Sequence, residues 1–203
     1  LNLGPDTTRI VGYEEYKEEI DFDGSFIYIP DNKIGKRVKI QIDTDRKSSL
    51  YEMSKQFKEM RAPYKALKTK EAKSKSNALK IMVNTFYGSN TNPYINYGDM
   101  SVGITITAVS RFLLLSAIHL IREKYGQKSV VYCHTDGINT NVSVDEKWLI
   151  KRLRLILENK IPFAESKWID MDKDVYKEGF WVQIGNYVLR NEDGTLTKHG
   201  STF

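Results

Sequence analysis

The sequence predicts an α+β fold: an antiparallel sheet with packed helices, plus a helical hairpin. Three observations carry that expectation. Apolar residues recur at spacings of three and four over 50–67 and again over 78–86, as they do along one face of a helix. A short apolar run, 129–133, and a run that alternates apolar or β-branched residues with Asn, 138–142, flank His134-Thr-Asp-Gly137, a pattern that reads as a β-hairpin with an acidic tip. A composition of 40% hydrophobic and 11% aromatic residues supplies enough apolar material for a core and excludes wholesale disorder. A chain of 203 residues holds one large domain or two small ones, and it contains no internal repeat.

Up to about residue 46 the pattern is irregular, with two extended segments. Ser25-Phe-Ile-Tyr-Ile29 is stopped by Pro30-Asp-Asn32, and 37–42 alternates basic and apolar residues. A helix then begins at Ser48 or Ser49 and carries Leu50, Met53, Phe57, Met60, Tyr64 and Leu67 on one stripe. Pro63 predicts a kink or break in it, since proline lacks an amide donor and crowds the preceding turn. The polar stretch 68–76 reads as the connection to a second helix ending near Tyr87, and so short a connection pairs the two antiparallel. Gly88-Ser-Asn-Thr-Asn-Pro93 has the composition of a loop.

A long core helix is expected over 104–125, with Val109, Phe112, Leu113, Ser116, Leu120 and Ile121 to one side and Gly126 as its C-terminal cap. Beyond the β-hairpin, Ser143 and Glu146 have the spacing of a capping box. The amphipathic helix they open bears Leu149, Leu153, Ile156 and Leu157 and ends before Pro162. Strands are expected over 168–172 and 180–189, then a turn at Asn191-Glu-Asp-Gly194 and a short last segment ending at Phe203.

Lys and Arg number 31 against 26 Asp and Glu, and the formal charge of +5 permits a polyanionic partner without demonstrating one. Lysines crowd the stretch from Lys55 to Lys80 while acidic residues gather toward both ends, so the helical hairpin is where such a partner would be met. The one cysteine, Cys133, excludes an internal disulfide and a Cys-rich zinc site and suits a reducing, intracellular compartment. The longest apolar stretch, 112–121, is interrupted by Ser116 and His119, so no membrane span is expected, and no signal peptide is visible.

On the second helix, Ala78, Leu79, Met82, Val83 and Phe86 form the apolar face, while Lys73, Asn77, Lys80, Asn84 and Tyr87 line up as a polar stripe opposite. On the first, Lys58, Arg61, Lys65 and Lys68 share a face. Such stripes are commonly solvated helix surface; facing one pocket, they are also the donors that hold a triphosphate. Asp136 at the β-hairpin tip has the same duality. Aspartate stabilises turns, and a carboxylate fixed at a strand end is a hard-oxygen ligand for Mg²⁺. Asp170, Asp172 and Asp174 alternate on the expected strand, where Asp174 reads as an exposed edge. His119 reads as a packed or surface residue, His199 has no zinc-like spacing, and Cys133 lacks an evident base; Trp148, Trp168 and Trp181 read as core or interface aromatics.

Taken together, Lys80-Ile-Met-Val-Asn84-Thr-Phe-Tyr87-Gly88 resembles motif B of the family B DNA polymerases, and Tyr132-Cys-His-Thr135-Asp136-Gly137 resembles motif C. Their order and spacing, the intervening helix with Arg111, and Tyr176-Lys-Glu-Gly-Phe-Trp-Val182 are similar to an archaeal enzyme of that family. Leu1-Asn-Leu-Gly-Pro-Asp-Thr7 resembles the stretch just downstream of motif A.

The resemblance implies a palm sheet with a fingers hairpin: a segment leading from palm to fingers (1–47), the fingers (48–88), and a palm portion with the motif C hairpin (89–203). It implies that Arg61, Lys65 and Lys80 hold the incoming dNTP triphosphate, that Asn84 supports that pocket and that Tyr87 packs under the nascent base pair. Asp136 would be catalytic as a ligand of two Mg²⁺ ions, and Tyr187 and Lys198 would lie against primer-template DNA. Three departures shape the expectation: His134 stands where motif C has its first aspartate, Ile184-Gly-Asn-Tyr187 lacks the Lys-rich form of the primer-binding strand, and motif A is absent, Ile20-Asp-Phe-Asp23 lacking its continuation. The chain thus looks like the shorter polypeptide of a split polymerase or a fragment of an intact one. A larger chain would carry motif A and the exonuclease domain, in the cytoplasm at the nucleoid. The rival expectation is a catalytically inactive structural or DNA-binding subunit; a basic helical nucleic-acid module unrelated to polymerases is a third.

Overall fold

The computed structural model describes residues 1–67, 69–92, 94–95, 98–161 and 163–200, with the side chain of Trp168 outside the description; Lys68, Pro93, Pro162 and Phe203 from the expectations above lie outside the described residues. The fold is mixed, with helices and antiparallel sheets as expected. It packs as two units, Leu1–Phe112 with Ile156–Ser166, and Leu113–Leu155 with Lys167–Phe203.

In the first unit, β1 (Thr8–Glu15), β2 (Asp21–Asp23), β3 (Phe26–Asp31) and β4 (Lys36–Ile42) form an antiparallel sheet in the order β1-β4-β3-β2. The alternation in β4 sorts its residues by face: Val38, Ile40 and Ile42 are buried, and Ile27 and Ile29 of β3 pair with Ile40 and Val38 on the same side. On the other side Lys39 lies 4.7 Å from the Phe26 ring centroid and 3.4 Å from Glu14 Oε1, while Arg37 covers Tyr28. β1 and β2 went unread in the sequence because β1 is an edge strand with a bulge between Ile10 and Gly12, which breaks its alternation.

The N-terminal residues fix the start of α1 (Ser49–Ala66). Asn2 Oδ1 accepts from the Ser48 amide at 2.8 Å, and Asp6 accepts from the Ser49 amide at 2.9 Å and from its hydroxyl at 3.0 Å. A β-carbon on Gly4 would collide with Ser48 Oγ, so the strap can lie this close only with glycine there. Partial desolvation pushes the Asp6 carboxyl up, but the hydrogen bonds from Ser49 and Ser48 outweigh it and leave the group below its ordinary value. Pro63 does not break the helix. It removes one amide donor in the last turn, and the helix continues to Ala66.

α2 (Lys70–Thr91) is longer at both ends than the sequence suggested. The connection is shorter than 68–76, since Thr69 caps α2 by accepting from the Ala72 amide at 3.2 Å. Nor is 88–91 a loop: Ser89, Asn90 and Thr91 turn their side chains back onto the Phe86, Tyr87 and Gly88 carbonyls, and the helix runs on.

α3 (Met100–Tyr125) also starts before residue 104, because Asp99 Oδ1 accepts from the Ser101 amide and hydroxyl. It ends at Gly126, with φ at 99°, as expected of that cap. By length and composition α3 is long and apolar enough to cross a membrane, which counting uninterrupted apolar residues missed; a third of its most apolar stretch is buried.

In the second unit, β5 (Val130–His134) and β6 (Gly137–Thr140) form the expected hairpin. α4 (Glu146–Lys160), whose residues from Ile156 onward belong to the first unit, buries Leu149, Leu153 and Leu157, but Asp145 rather than Ser143 caps it, with Asp145 Oδ1 3.1 Å from the Trp148 amide nitrogen. No strand forms over 168–172. A 3₁₀ turn occupies Ser166–Trp168, and Arg154 donates to the Lys167 and Ile169 carbonyls that a strand partner would otherwise satisfy. β7 (Glu178–Gln183), β8 (Asn186–Arg190) and β9 (Leu196–His199) complete a three-stranded antiparallel sheet.

Candidate functional site

Burial along α1 and α2 shows how their side chains are sorted. Leu50, Ser54, Phe57, Arg61 and Tyr64 are half-buried on α1; Ala72, Ser76, Leu79, Val83, Phe86 and Asn90 are buried or half-buried on α2. Both rows step by alternate fours and threes, the spacing of a coiled-coil seam. Phe57 meets Phe86 at 5.7 Å between ring centroids, and Arg61 Nε donates to both the carbonyl and the hydroxyl oxygen of Ser76 at 3.2 Å.

The seam corrects four readings. Met53 and Met60 lie outside it, Met60 with 55% of its surface exposed, and so does Leu67. Ala78 and Met82 are likewise exposed rather than part of the apolar face. Arg61 does not share an exposed face with Lys58 and Lys65; it bridges the two helices. The polar stripe Lys73, Asn77, Lys80, Asn84 and Tyr87 is exposed as expected, but it flanks the seam by about 100° instead of opposing it.

That rotation matters, because in an antiparallel pair the rows just past the seam on each helix lie on one side of the hairpin, and the rows just before it lie on the other. Past the seam stand Lys55, Lys58 and Lys65 on α1 and Lys70, Lys73 and Lys80 on α2, with Asn84 and Tyr87 completing the row. No acidic residue occupies those positions. On the other side stand Met53, Met60, Leu67, Ala78 and Met82 and the ion pair of Lys75 with Glu71 at 2.8 Å. Desolvation by neighbouring atoms holds the Lys58 ammonium below the ordinary lysine value, so an anion beside it would favour its charged form.

Asp136 sits in the two-residue turn between the paired residues His134 and Gly137. Thr135, the other turn residue, has φ at 56°, a strained conformation for a β-branched side chain. The Asp136 carboxylate is exposed and makes no hydrogen bond or ion pair among the described residues. Behind it the hairpin is held by an aromatic cluster. Tyr132 meets Trp181 at 5.9 Å and Tyr187 at 5.6 Å between centroids, and Tyr187 stacks on His199 at 4.9 Å.

Gly185, at the β7–β8 turn with φ at 79°, is clamped twice: its amide donates to Tyr132 Oη and His199 Nδ1 lies against its carbonyl, both at 2.8 Å. His134 stacks on Tyr132 at 6.3 Å and meets His199 edge-on. Sequence reasoning found Tyr187 and His134 by motif but missed the clamp of Tyr132, Gly185 and His199, because the three are far apart in the chain and no local period joins them.

A cleft of about 770 Å³ is lined by Asp136, Asn139, Asp172, Asp174, Tyr176 and Trp181, among others. The acidic residues do not converge, since the described residues hold no group of three or more His, Cys, Asp or Glu able to bind a metal. Asp174 instead acts on Tyr176, whose hydroxyl is pushed up by burial first and by the Asp174 charge second. Lys198 is exposed on β9 opposite Val188. His119 is exposed, Trp148 packs against Tyr125 and Lys124, and burial pushes the Cys133 thiol up, away from nucleophilic use.

Comparison with known proteins bears on the whole chain. A DNA polymerase of Thermococcus gorgonarius is 26% identical over 98% of the chain, and one of Thermococcus sp. (strain 9oN-7) is 24% identical over the same share. The chain is related to archaeal DNA polymerases. A third, from Desulfurococcus sp. (strain Tok), is 24% identical over 74% of the chain. The chain spans about a quarter of the length of the first two relatives, and no family model matches it.

Proposed function

We propose that this chain supplies the nucleotide-binding fingers and one metal-binding carboxylate to template-directed DNA synthesis, as the shorter chain of a split family B polymerase or the matching part of an intact one. The lysine side of the α1–α2 hairpin carries this reading, because a triphosphate needs gathered cations and no acidic residue stands in those rows. Lys65 and Lys80 take phosphate charge, Asn84 and Tyr87 flank the nucleotide, and Arg61 joins through the guanidinium nitrogens that Ser76 leaves open. Tyr187 and Lys198 face primer-template DNA.

Asp136 fits a Mg²⁺ ligand. It is an exposed hard-oxygen group without a protein partner among the described residues, and Mg²⁺ takes only one or two protein carboxylates beside phosphate and water oxygens. Asp136 would hold the ion from this chain, and a bound metal would supply charge neutralisation at the α-phosphate. This chain's part is to hold the phosphates and present one carboxylate. Motif A is supplied from outside the matched stretch, by a larger partner chain in the split arrangement.

Primer extension with Mg²⁺ and dNTPs by the chain purified with its copurifying partner tests the reading, and extension supports it. The packing of His134 against Tyr132 and His199 favours a second reading, a silent DNA-binding subunit, because an imidazole so engaged replaces a carboxylate. A stable assembly that binds DNA without extending it would select that reading.

A further inference from the structure

β1 is an edge strand: β4 lies on one side of it, and no strand pairs with the other side among the described residues. Such an edge offers a row of unpaired amide and carbonyl groups to any strand that matches it, and proteins guard it with proline, charge, short length or a bulge. β1 runs for eight residues without a proline and leaves Ile10, Val11 and Tyr13 exposed at 42%, 43% and 57%. Its bulge and its charges are arranged so that a second copy of β1 matches them.

The register with β4 sorts β1 by face. Thr8, Ile10, Tyr13 and Glu15 pair with Ile42, Ile40, Val38 and Lys36, on the face where those three apolar residues of β4 are buried. Arg9, Gly12 and Glu14 pair with Gln41, Lys39 and Arg37 on the other face. The extra residue, Val11, shifts the alternation between them. As a result Thr8 and Glu15, Ile10 and Tyr13, and Arg9 and Glu14 are each a same-face pair equidistant from the point between Val11 and Gly12. In a regular strand, residues an odd number apart lie on opposite faces and cannot be opposed in this way.

A second copy running antiparallel along the edge therefore sets Ile10 against Tyr13 and Arg9 against Glu14, twice each. Arg9 is free for that contact: its guanidinium reaches the neutral Gln41 side chain at 2.7 Å and has no acidic partner among the described residues. A slip of one residue in either direction sets Ile10 against Glu14 or Gly12 and loses the match.

We propose that β1 is a homodimer interface, through which two copies of this chain join their four-stranded sheets edge to edge in the register that opposes Ile10 to Tyr13. Each copy covers the two apolar side chains that the other leaves exposed at the end of its core face. One pair of strands buries less surface than a standard interface of about 1,200–2,000 Å², so the dimer depends on concentration. The interface does not rest on the nucleotide or metal reading.

The test is sedimentation equilibrium of the full chain from about 10 μM to 1 mM, alongside disulfide trapping. The mass should climb from one chain toward two. Arg9→Glu turns both cross-strand ion pairs into repulsions and should weaken the dimer roughly tenfold, with circular dichroism and thermal midpoint close to wild type. For the register, Ile10→Cys and Tyr13→Cys are made separately in a Cys133→Ser background. A mixture of the two should yield a linked dimer on mild oxidation. Either variant alone should not, because two copies of residue 10, or of residue 13, stand beyond disulfide reach.

A single-chain mass over the whole range overturns the proposal and leaves the edge to a strand of some other chain. A dimer undiminished by Arg9→Glu overturns it as well, since association would then lie elsewhere. Linked dimer as abundant in either variant alone as in the mixture also overturns it, because the strands would be meeting in another register or by collision.

Discussion

The α1–α2 hairpin and the β5–β6 turn expose their candidate residues for different reasons. In the helical hairpin, exposure follows from the helical period alone, because Lys73, Lys80 and Tyr87 occupy the row beside the seam, and a neighbour could be changed without moving them. At the β-turn, Asp136 depends on Thr135 being held at φ 56° and on the Gly185 clamp that fixes the strands behind it. The first region presents its candidate residues on a stable surface. The second hangs its candidate carboxylate on a tertiary arrangement, so distant substitutions should reach it.

If that contrast holds, the largest effect belongs to Asp136. Asp136→Asn should lower primer extension by the assembled complex by on the order of a hundredfold or more, about 3 kcal/mol, while leaving the thermal midpoint alone. Wild-type extension rates in that variant would remove Asp136 from the chemistry. Lys80→Ala should raise the KM for dNTP roughly tenfold to a hundredfold, the value of one charge-assisted hydrogen bond, with helicity by circular dichroism unchanged. Equal kinetics would reduce the lysine row to solvated surface.

Tyr132→Phe sharpens the comparison, since it removes only the acceptor for the Gly185 amide. The cost of leaving that donor unpaired is about 1–3 kcal/mol, and the thermal midpoint should fall by several degrees. Primer extension should fall with it, because the Gly185 amide and Tyr132 Oη together fix the strands behind Asp136. A stability loss without any change in extension would show that the clamp does not position Asp136.

The smallest effect is at Asp6. Its folded-state pKa is depressed, so its bonds to Ser49 stabilise the fold fully above pH about 4, the ordinary carboxylate value, and that stability is lost as pH falls through the lower folded value. Asp6→Asn should cost about 1 kcal/mol in urea unfolding at pH 7, and the gap to wild type should narrow toward pH 3. A gap that stays constant with pH would assign the effect to the side-chain shape rather than its charge.

Periodicity located α1, α2 and the β5–β6 hairpin, and the motif residues Lys80, Asn84, Tyr87 and Asp136 were all legible in the chain. Several element ends were not. Ser89, Asn90 and Thr91 have loop composition but bond back to the preceding turn, Asp99 starts α3 before the expected 104, and Asp145 caps α4 in place of Ser143. The strand expected at 168–172 failed because its alternating acids found no neighbouring strand, while Arg154 took the carbonyls.

What the sequence determined by itself is what a local period can encode: the mixed fold, the helical hairpin, the rows on which its lysines stand, and the acidic turn. Which side of the hairpin is basic and which carries methionine was decided only when two helices chose a common seam, since a row beside a seam has no side until the partner is in place. The Gly185 clamp likewise exists only in the folded chain. Its bonds join Tyr132 to Gly185 and Gly185 to His199, and a hydrogen bond between residues so far apart depends on packing that no stretch of sequence specifies alone.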